Sequence, residues 1–267
     1  MACLELLPAE AAAPRRIVSI NACADQLILA LADREQILAL THYARDPDMS
    51  FYADRAEGLP TIRGDAEEVL KLKPDLVLAG SFTRSATRAQ LAAQGIRIAT
   101  FSPARSIEDV KKHIREVASL LGQEARGQAL VAEIDAAFAN LRPSSRPLRA
   151  LQLQRRAFAA GTDTLIHDIM QRLGIVNAAT DLGIRYVGRT SLEAVLKTKP
   201  DVLILDRADP GAADQGTALL GHPALEEIVP RHRRIVIPAS QIVCGSPGVA
   251  LAARTLRDAA ERILAER

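Results

Sequence analysis

The 267-residue chain is 48% hydrophobic and 25% charged, enough for packed cores and ordinary for a water-soluble protein. A formal net charge of +2 argues against a strongly basic nucleic-acid surface, and no run of 18 apolar residues is present to cross a bilayer. Three cysteines are too few for a disulfide scaffold, and the lack of Trp, with only three Tyr and five Phe, limits any aromatic binding platform.

In chain order, residues 1–14 lack the basic start of a secretory leader and carry Glu5 and Glu10, so no signal peptide is read there. A cytoplasmic protein and a trimmed exported one both fit that start. Four short apolar runs follow: RIVSI (16–20), ILAL (37–40), DLVLA (75–79) and RIATF (97–101). They are unbroken rather than alternating, as expected of strands buried on both faces of a parallel sheet. Ser106 and Asp109 form a capping-box pattern. Behind it Ile107, Val110, Ile114, Val117 and Leu121 make one apolar stripe, which Gly122 ends. A Pro-free segment from Glu124 to Arg142 predicts a second helix of about 28 Å at ~1.5 Å per residue, long enough to bridge two lobes. Three more strand-like runs follow, RALQL (149–153), DVLILD (201–206) and RIVIP (234–238). Strands alternating with helices predict two open α/β sheets. The expected division is an N-terminal lobe over 14–122, a connecting helix over 123–142 and a C-terminal lobe over 146–267.

Within this pattern one segment occurs twice. Residues 67–78 read EEVLKLKPDLVL and residues 193–204 read EAVLKTKPDVLI, with seven of the first nine positions identical. Glu67 matches Glu193, Pro74 matches Pro200 and Asp75 matches Asp201, all at an offset of 126 residues. Solenoid periods run about 20–50 residues, so this offset points to two related lobes. A cleft between lobes is a preferred place for a small molecule.

The duplicated E-x-V-L-K-x-K-P-D segment, the opening RIVSINACADQLILALA run (16–32), the central helix and the CGSPGVALAARTL run (244–256) resemble the substrate-binding proteins of metal-chelate ABC importers. Ferric-siderophore and cobalamin binders belong to this group. The resemblance covers nearly the whole chain. It implies two Rossmann-like α/β lobes joined by one long helix, with a ligand cleft between them. It also implies a periplasmic or lipid-anchored setting, a monomer, and delivery of a metal chelate to a membrane permease. It implies no catalysis and no cofactor. Cys3 would then be the remnant of a lipid-attachment cysteine. Glu67 and Glu193 stand where such proteins carry acidic residues that dock on permease arginines. A structural role is compatible with this, because first-turn carboxylates behind the caps Asp65 and Ser191 favour the helix dipole.

Ligands of open α/β sheets lie beyond the carboxyl ends of the strands. That rule nominates Cys23, His42, Tyr43, Arg45 and Phe82 in the first lobe, and Arg155, Arg207 and Cys244 in the second. Arg63 and Arg189 are equivalent across the repeat, each four residues before its glutamate, and Tyr186 lies close by. The set is rich in Arg, whose planar fork of donors suits carboxylates, phosphates and anionic oxygen donors. Few aromatics and no Trp favour a ferric siderophore over cobalamin or another corrinoid. Three readings of Cys23 and Cys244 stand open: small buried hydrophobes, a disulfide, or contacts to a ligand or soft metal together with His42. The last would make the chain a metal-handling enzyme. No GxGxxG, GxxxxGK[ST] or GxSxG pattern is present.

Overall fold

A computed structural model describes residues 13–206 and 219–266. Cys3 and Arg207 lie outside the described residues. The first half runs β1 (Ile17–Ser19), α1 (Ala22–Leu31), β2 (Ile37–Thr41), β3 (Thr61–Ile62), α2 (Ala66–Leu72), β4 (Leu76–Gly80), α3 (Ser85–Ala93), β5 (Arg97–Phe101) and α4 (Ile107–Leu121). Helix α5 (Glu124–Ala139) follows. The second half runs β6 (Leu148–Gln154), β7 (Phe158–Ala160), α6 (Leu165–Arg172), β8 (Ile175–Asn177), β9 (Val187–Arg189), α7 (Leu192–Thr198), β10 (Val202–Leu205), α8 (Pro223–Ile228), β11 (Arg234–Val236), α9 (Ala239–Ile242) and α10 (Gly248–Ala265).

The first sheet has the order β3-β2-β1-β4-β5, and every pair in it is parallel. Its central strands are unbroken apolar runs because both faces are covered. Leu76 and Leu78 pack toward α1 and α4, while Val77 and Ala79 pack with Val69 of α2 and Leu91 of α3. The capping box at Ser106 and Asp109 forms as the sequence predicts, and α4 stops at Gly122, whose φ is 69°.

The second sheet departs from the parallel expectation. Its order is β11-β10-β6-β7-β9, with β8 beside the first half of β6. Pairs β10–β11, β10–β6 and β6–β8 are parallel, but β6–β7 and β7–β9 are antiparallel. The cause is the tight turn Arg155–Ala157, where Arg156 and Ala157 have φ of 59° and 58°. It reverses the chain with no room for a crossover helix, so β7 folds back on β6. No Gly or Asn marks this turn, so the sequence carries no sign of it.

Helix α5 is also shorter than expected. It ends at Ala139, where the Asn140 side chain donates to the Ala136 carbonyl at 2.9 Å. Its 16 residues span about 24 Å. One continuous apolar core runs through both halves. It takes Ile28 from α1, Ile114 and Val117 from α4, Ile134 from α5, Ile169 from α6 and Leu256 and Ile263 from α10. Each such side chain contributes roughly 1.5–3 kcal/mol on burial, so the two lobes are fastened by packing. Asp168 of α6 adds a polar tie, accepting from the Ile107 backbone N–H at the start of α4 at 2.9 Å.

The repeat has a structural meaning. Both copies form a seven-residue helix, α2 and α7, ended by a left-handed lysine: Lys73 at φ 47° and Lys199 at φ 46°. The following proline prevents continuation of the helix. The motif aspartates then tie the start of the neighbouring strand. Asp75 accepts from the Arg15 and Arg16 backbone N–H groups at 2.8 and 3.0 Å, and Asp201 accepts from that of Arg149 at 2.8 Å. Arg16 and Arg149 in turn donate through Nε to the helix-end carbonyls of Lys73 and Thr198, at 2.9 and 3.1 Å. Ser191 caps α7 by accepting from Ala194, whereas Asp65, in the N-cap position of α2, makes no capping hydrogen bond. The Arg63 backbone N–H is instead taken by Glu68, at 2.8 Å.

Candidate ligand cleft between the lobes

The carboxyl ends of the strands of both lobes converge on one cleft. At the end of β1, Asn21 caps α1 by accepting from the Cys23 and Ala24 N–H groups at 3.0 and 3.2 Å. At the end of β2 a helical turn, His42–Arg45, projects the His42 and Tyr43 rings, whose centroids are 3.9 Å apart. Asp25 of α1 anchors that turn from below. Its fully buried carboxyl accepts from the Thr41 backbone N–H at 3.1 Å and from the Thr41 hydroxyl. Burial pushes its pKa up to about 6, against the pull of hydrogen bonds from Ser19 and Thr41 and of the His42 charge.

Two adjoining chambers open from these strand ends. One, of about 560 Å³, takes Phe82, Ala104 and Arg105 from the first lobe and Gln152, Gln154, Asp163, Tyr186, Val187 and Val243 from the second. The other, of about 650 Å³, lies wholly on the first lobe and is lined by His42, Tyr43, Arg63, Asp65, Phe82, Thr83 and Arg84 among others. Phe82 belongs to both and is 85% exposed; Tyr186 and Tyr43 are 50% and 43% exposed. The Arg105 guanidinium reaches across the cleft to 4.9 Å from the Tyr186 ring centroid, and Arg185 lies 5.6 Å from the same ring. Such cation–π contacts contribute about 0.5–1 kcal/mol at exposed sites. Arg185 is also paired with Asp163 at 2.8 Å.

At the bottom of the cleft Cys23 and Cys244 form a disulfide with a Cα–Cα separation of 4.7 Å. Of the three readings of the pair, the disulfide is the one the structure holds. A bonded sulfur is not a thiolate, so in this state the pair offers no soft-metal ligand, while both residues still line a small cavity of the cleft. Among the described residues no group of three or more His, Cys, Asp or Glu is placed to hold a metal ion. Beside the disulfide, Gly245 at φ 65° lies against α4, where a Cβ would meet Val110 at 2.7 Å and Ala104 at 3.0 Å. His113 of α4 packs edge-on against Phe101 and lines the small cavity next to the disulfide. Burial lowers its pKa.

Of the residues nominated from the sequence, His42, Tyr43, Arg63, Phe82 and Tyr186 line the two chambers. Arg45 does not. Its guanidinium is turned inward onto the Ala56 and Leu59 carbonyls. Arg155 lies in the turn after β6 and Arg189 at the end of β9, and neither lines a chamber. Glu67 and Glu193 are exposed in the first turns of α2 and α7. A hydrogen bond from Ser191 lowers the pKa of Glu193. Arg105, Gln152 and Gln154 were not nominated. The strand-end rule, carried on to the loop after RIATF, reaches Arg105; the glutamines sit inside an apolar-looking strand and carry no signal. His167 of α6 is half-buried with an unpaired Nδ1.

The profile described as "Periplasmic binding protein" matches residues 17–234. The chain belongs to the periplasmic binding protein family. A cobalamin-binding protein of Halobacterium salinarum is 28% identical to this periplasmic binding protein over 211 residues, covering 75% of the chain. The match spans only 57% of that relative's own length. Among solved structures, the apo form of the periplasmic heme-binding protein RhuT from Roseiflexus sp. RS-1 is 27% identical, with a TM-score of 0.75 over 93% of this chain and 98% of that one. An ABC-type Fe3+-hydroxamate transport system protein from Saccharomonospora viridis shares the fold, with TM-score 0.73, 21% identity and 92% and 93% of the two chains covered. The two-lobed α/β architecture of the family is the one described above, and no helix among the described residues is long and apolar enough to cross a membrane.

Proposed function

We propose that this periplasmic binding protein captures a flat metal chelate of the tetrapyrrole class, corrinoid or heme, and passes it to an ABC-type permease without catalysing a reaction. The observation that carries this reading is the exposure of Tyr43, Phe82 and Tyr186 at the cleft. The chain has eight Tyr and Phe in all, three plus five, so three of the eight stand on this one surface. Aromatic residues are few, which favoured a siderophore when only their number was known; their placement favours a ligand with a broad apolar face. The cobalamin-binding and heme-binding relatives support the same class. A ferric siderophore is the second reading, favoured by the guanidinium groups of Arg63, Arg84 and Arg105 at the chamber walls.

The lobes implied by the sequence, 14–122 and 146–267 about a connecting segment 123–142, act in this proposal as the two jaws of the cleft, and the protein works as a monomer. Glu67 and Glu193 are its permease contacts, one on each lobe. The Cys23–Cys244 disulfide supports an extracytoplasmic setting, since such bonds persist in oxidising compartments. Spectrophotometric titration of the purified protein with hemin, cyanocobalamin and a ferric trihydroxamate tests the reading. Saturable binding of a tetrapyrrole supports it, and binding of the hydroxamate alone replaces it with the siderophore.

A further inference from the structure

The two chambers differ in chemistry. The interlobe chamber is mostly carbon: Phe82, Ala104, Val187 and Val243 line it beside Tyr186, and Asp163 is already paired with Arg185. The first-lobe chamber is cationic. Arg63 and Arg84 both face it, and among the described residues neither guanidinium has a hydrogen bond or ion pair, whereas Arg16, Arg45 and Arg149 are bonded to backbone carbonyls. The one carboxylate lining it is Asp65, which caps no backbone group. Two free guanidiniums against one carboxylate leave the chamber with excess positive charge. The Thr83 and Thr87 side chains and the tilted His42–Tyr43 ring pair complete its wall. The two chambers meet at Phe82, the most exposed of the aromatic side chains at the cleft.

We infer that the site is bipartite. The apolar body of the chelate lies between the lobes against Phe82 and Tyr186, and an anionic arm of the same molecule, a carboxylate or a phosphate, passes Phe82 into the first-lobe chamber between Arg63 and Arg84. This rests on the reading of the cleft as a chelate site. Arginine forks suit either oxyanion, and the body alone leaves about 650 Å³ of charged space unused.

The test uses two matched pairs of probes and calorimetry on the full chain. Cyanocobalamin and dicyanocobinamide share a corrin ring, but only the first carries a phosphate-bearing tail. Hemin and its dimethyl ester share a porphyrin, but only the first carries free carboxylates. The proteins are the wild type, R63A/R84A and the charge-keeping R63K/R84K, with thermal melts to confirm that all three fold. The expected result, for whichever pair binds, is that the armed member binds the wild type at least tenfold more tightly than its armless partner. R63A/R84A should erase that difference by weakening the armed member alone, and R63K/R84K should retain part of it. A preference for cyanocobalamin assigns the arm as phosphate, and one for hemin assigns it as carboxylate. Equal binding of both members, or equal losses in R63A/R84A, overturns the bipartite site and leaves the tetrapyrrole reading intact. Failure of all four probes to bind the wild type overturns both.

Discussion

Cys23 in the first turn of α1 and Cys244 ahead of α10 are 221 residues apart in sequence and covalently joined across the floor of the cleft. The chain therefore crosses between lobes through α5, through the shared apolar core, and through this bond. The crosslink ties the lobes at the base of the cleft, beside the packed core that both share.

Replacing both cysteines by alanine is expected to destabilise the protein by about 2–5 kcal/mol, since a crosslink over so long a loop restricts the unfolded chain strongly. The shared core keeps the lobes together in the variant, so the loss shows as a lower denaturant midpoint and not as separated lobes. Wild-type protein treated with reductant should reproduce the variant. Coincident midpoints for oxidised, reduced and doubly substituted protein would show that the bond contributes nothing.

Asp25 makes stability fall as pH rises from the ordinary carboxyl value of 3.8 through about 6. Its folded pKa, about 6, lies above the ordinary carboxyl value of 3.8, so the fold favours the protonated form. That contribution is complete below the ordinary value and is lost as pH climbs through about 6. A shift of roughly two pK units corresponds to at most about 3 kcal/mol. The ligand-free wild type should therefore melt several degrees lower at pH 7.5 than at pH 5, relative to D25N measured at the same two pH values. Parallel pH profiles for the two proteins would refute the assignment.

Phe82 is the side chain whose removal separates binding from folding. At 85% exposure its truncation has almost no packing to lose, and surface changes of that kind stay within about ±0.5 kcal/mol of stability. Covering a phenyl ring with ligand contributes about 1.5–3 kcal/mol. F82A should thus melt with the wild type and bind the chelate roughly 10- to 100-fold more weakly. Unchanged affinity would remove Phe82 from the site.

These contrasts show why the fold was more legible than the site. Strands such as Leu76–Gly80 are buried on both faces, so composition alone marks them. The β6–β7–β9 hairpin depends on a turn of Arg155, Arg156 and Ala157 in unusual backbone conformations, and those residue types give no warning. The arginines are the harder case. Arg16 and Arg149 complete helix ends, Arg45 serves two turn carbonyls, and Arg63 and Arg84 face open space. A guanidinium looks the same in all these settings until the three-dimensional arrangement of carbonyls around it is known. The disulfide was open for a similar reason: two cysteines at strand ends of different lobes meet only if the lobes close to a particular angle.

Glu67 and Glu193 carry the expectation for transport. Both are exposed in the first turn of a seven-residue helix that ends in the same left-handed lysine and the same proline, so the two lobes present them in matching local frames. A pair of matched carboxylates, one per lobe, suits a permease with two-fold symmetry. Reversing both, Glu67→Arg with Glu193→Arg, should abolish uptake in cells while the affinity for the chelate in solution is unchanged, because neither residue lines a chamber. Stability should fall only slightly. Each reversal forfeits a weak, solvent-screened helix-dipole interaction, and at Glu193 the contact with Ser191 is lost as well. The caps that matter for folding remain: Ser191 still accepts from Ala194, and Glu68 still accepts from Arg63. Uptake assays paired with calorimetry on the same double variant decide the matter. Normal uptake would show that the permease grips elsewhere. A loss of affinity equal to the loss of uptake would place these glutamates in ligand binding or folding.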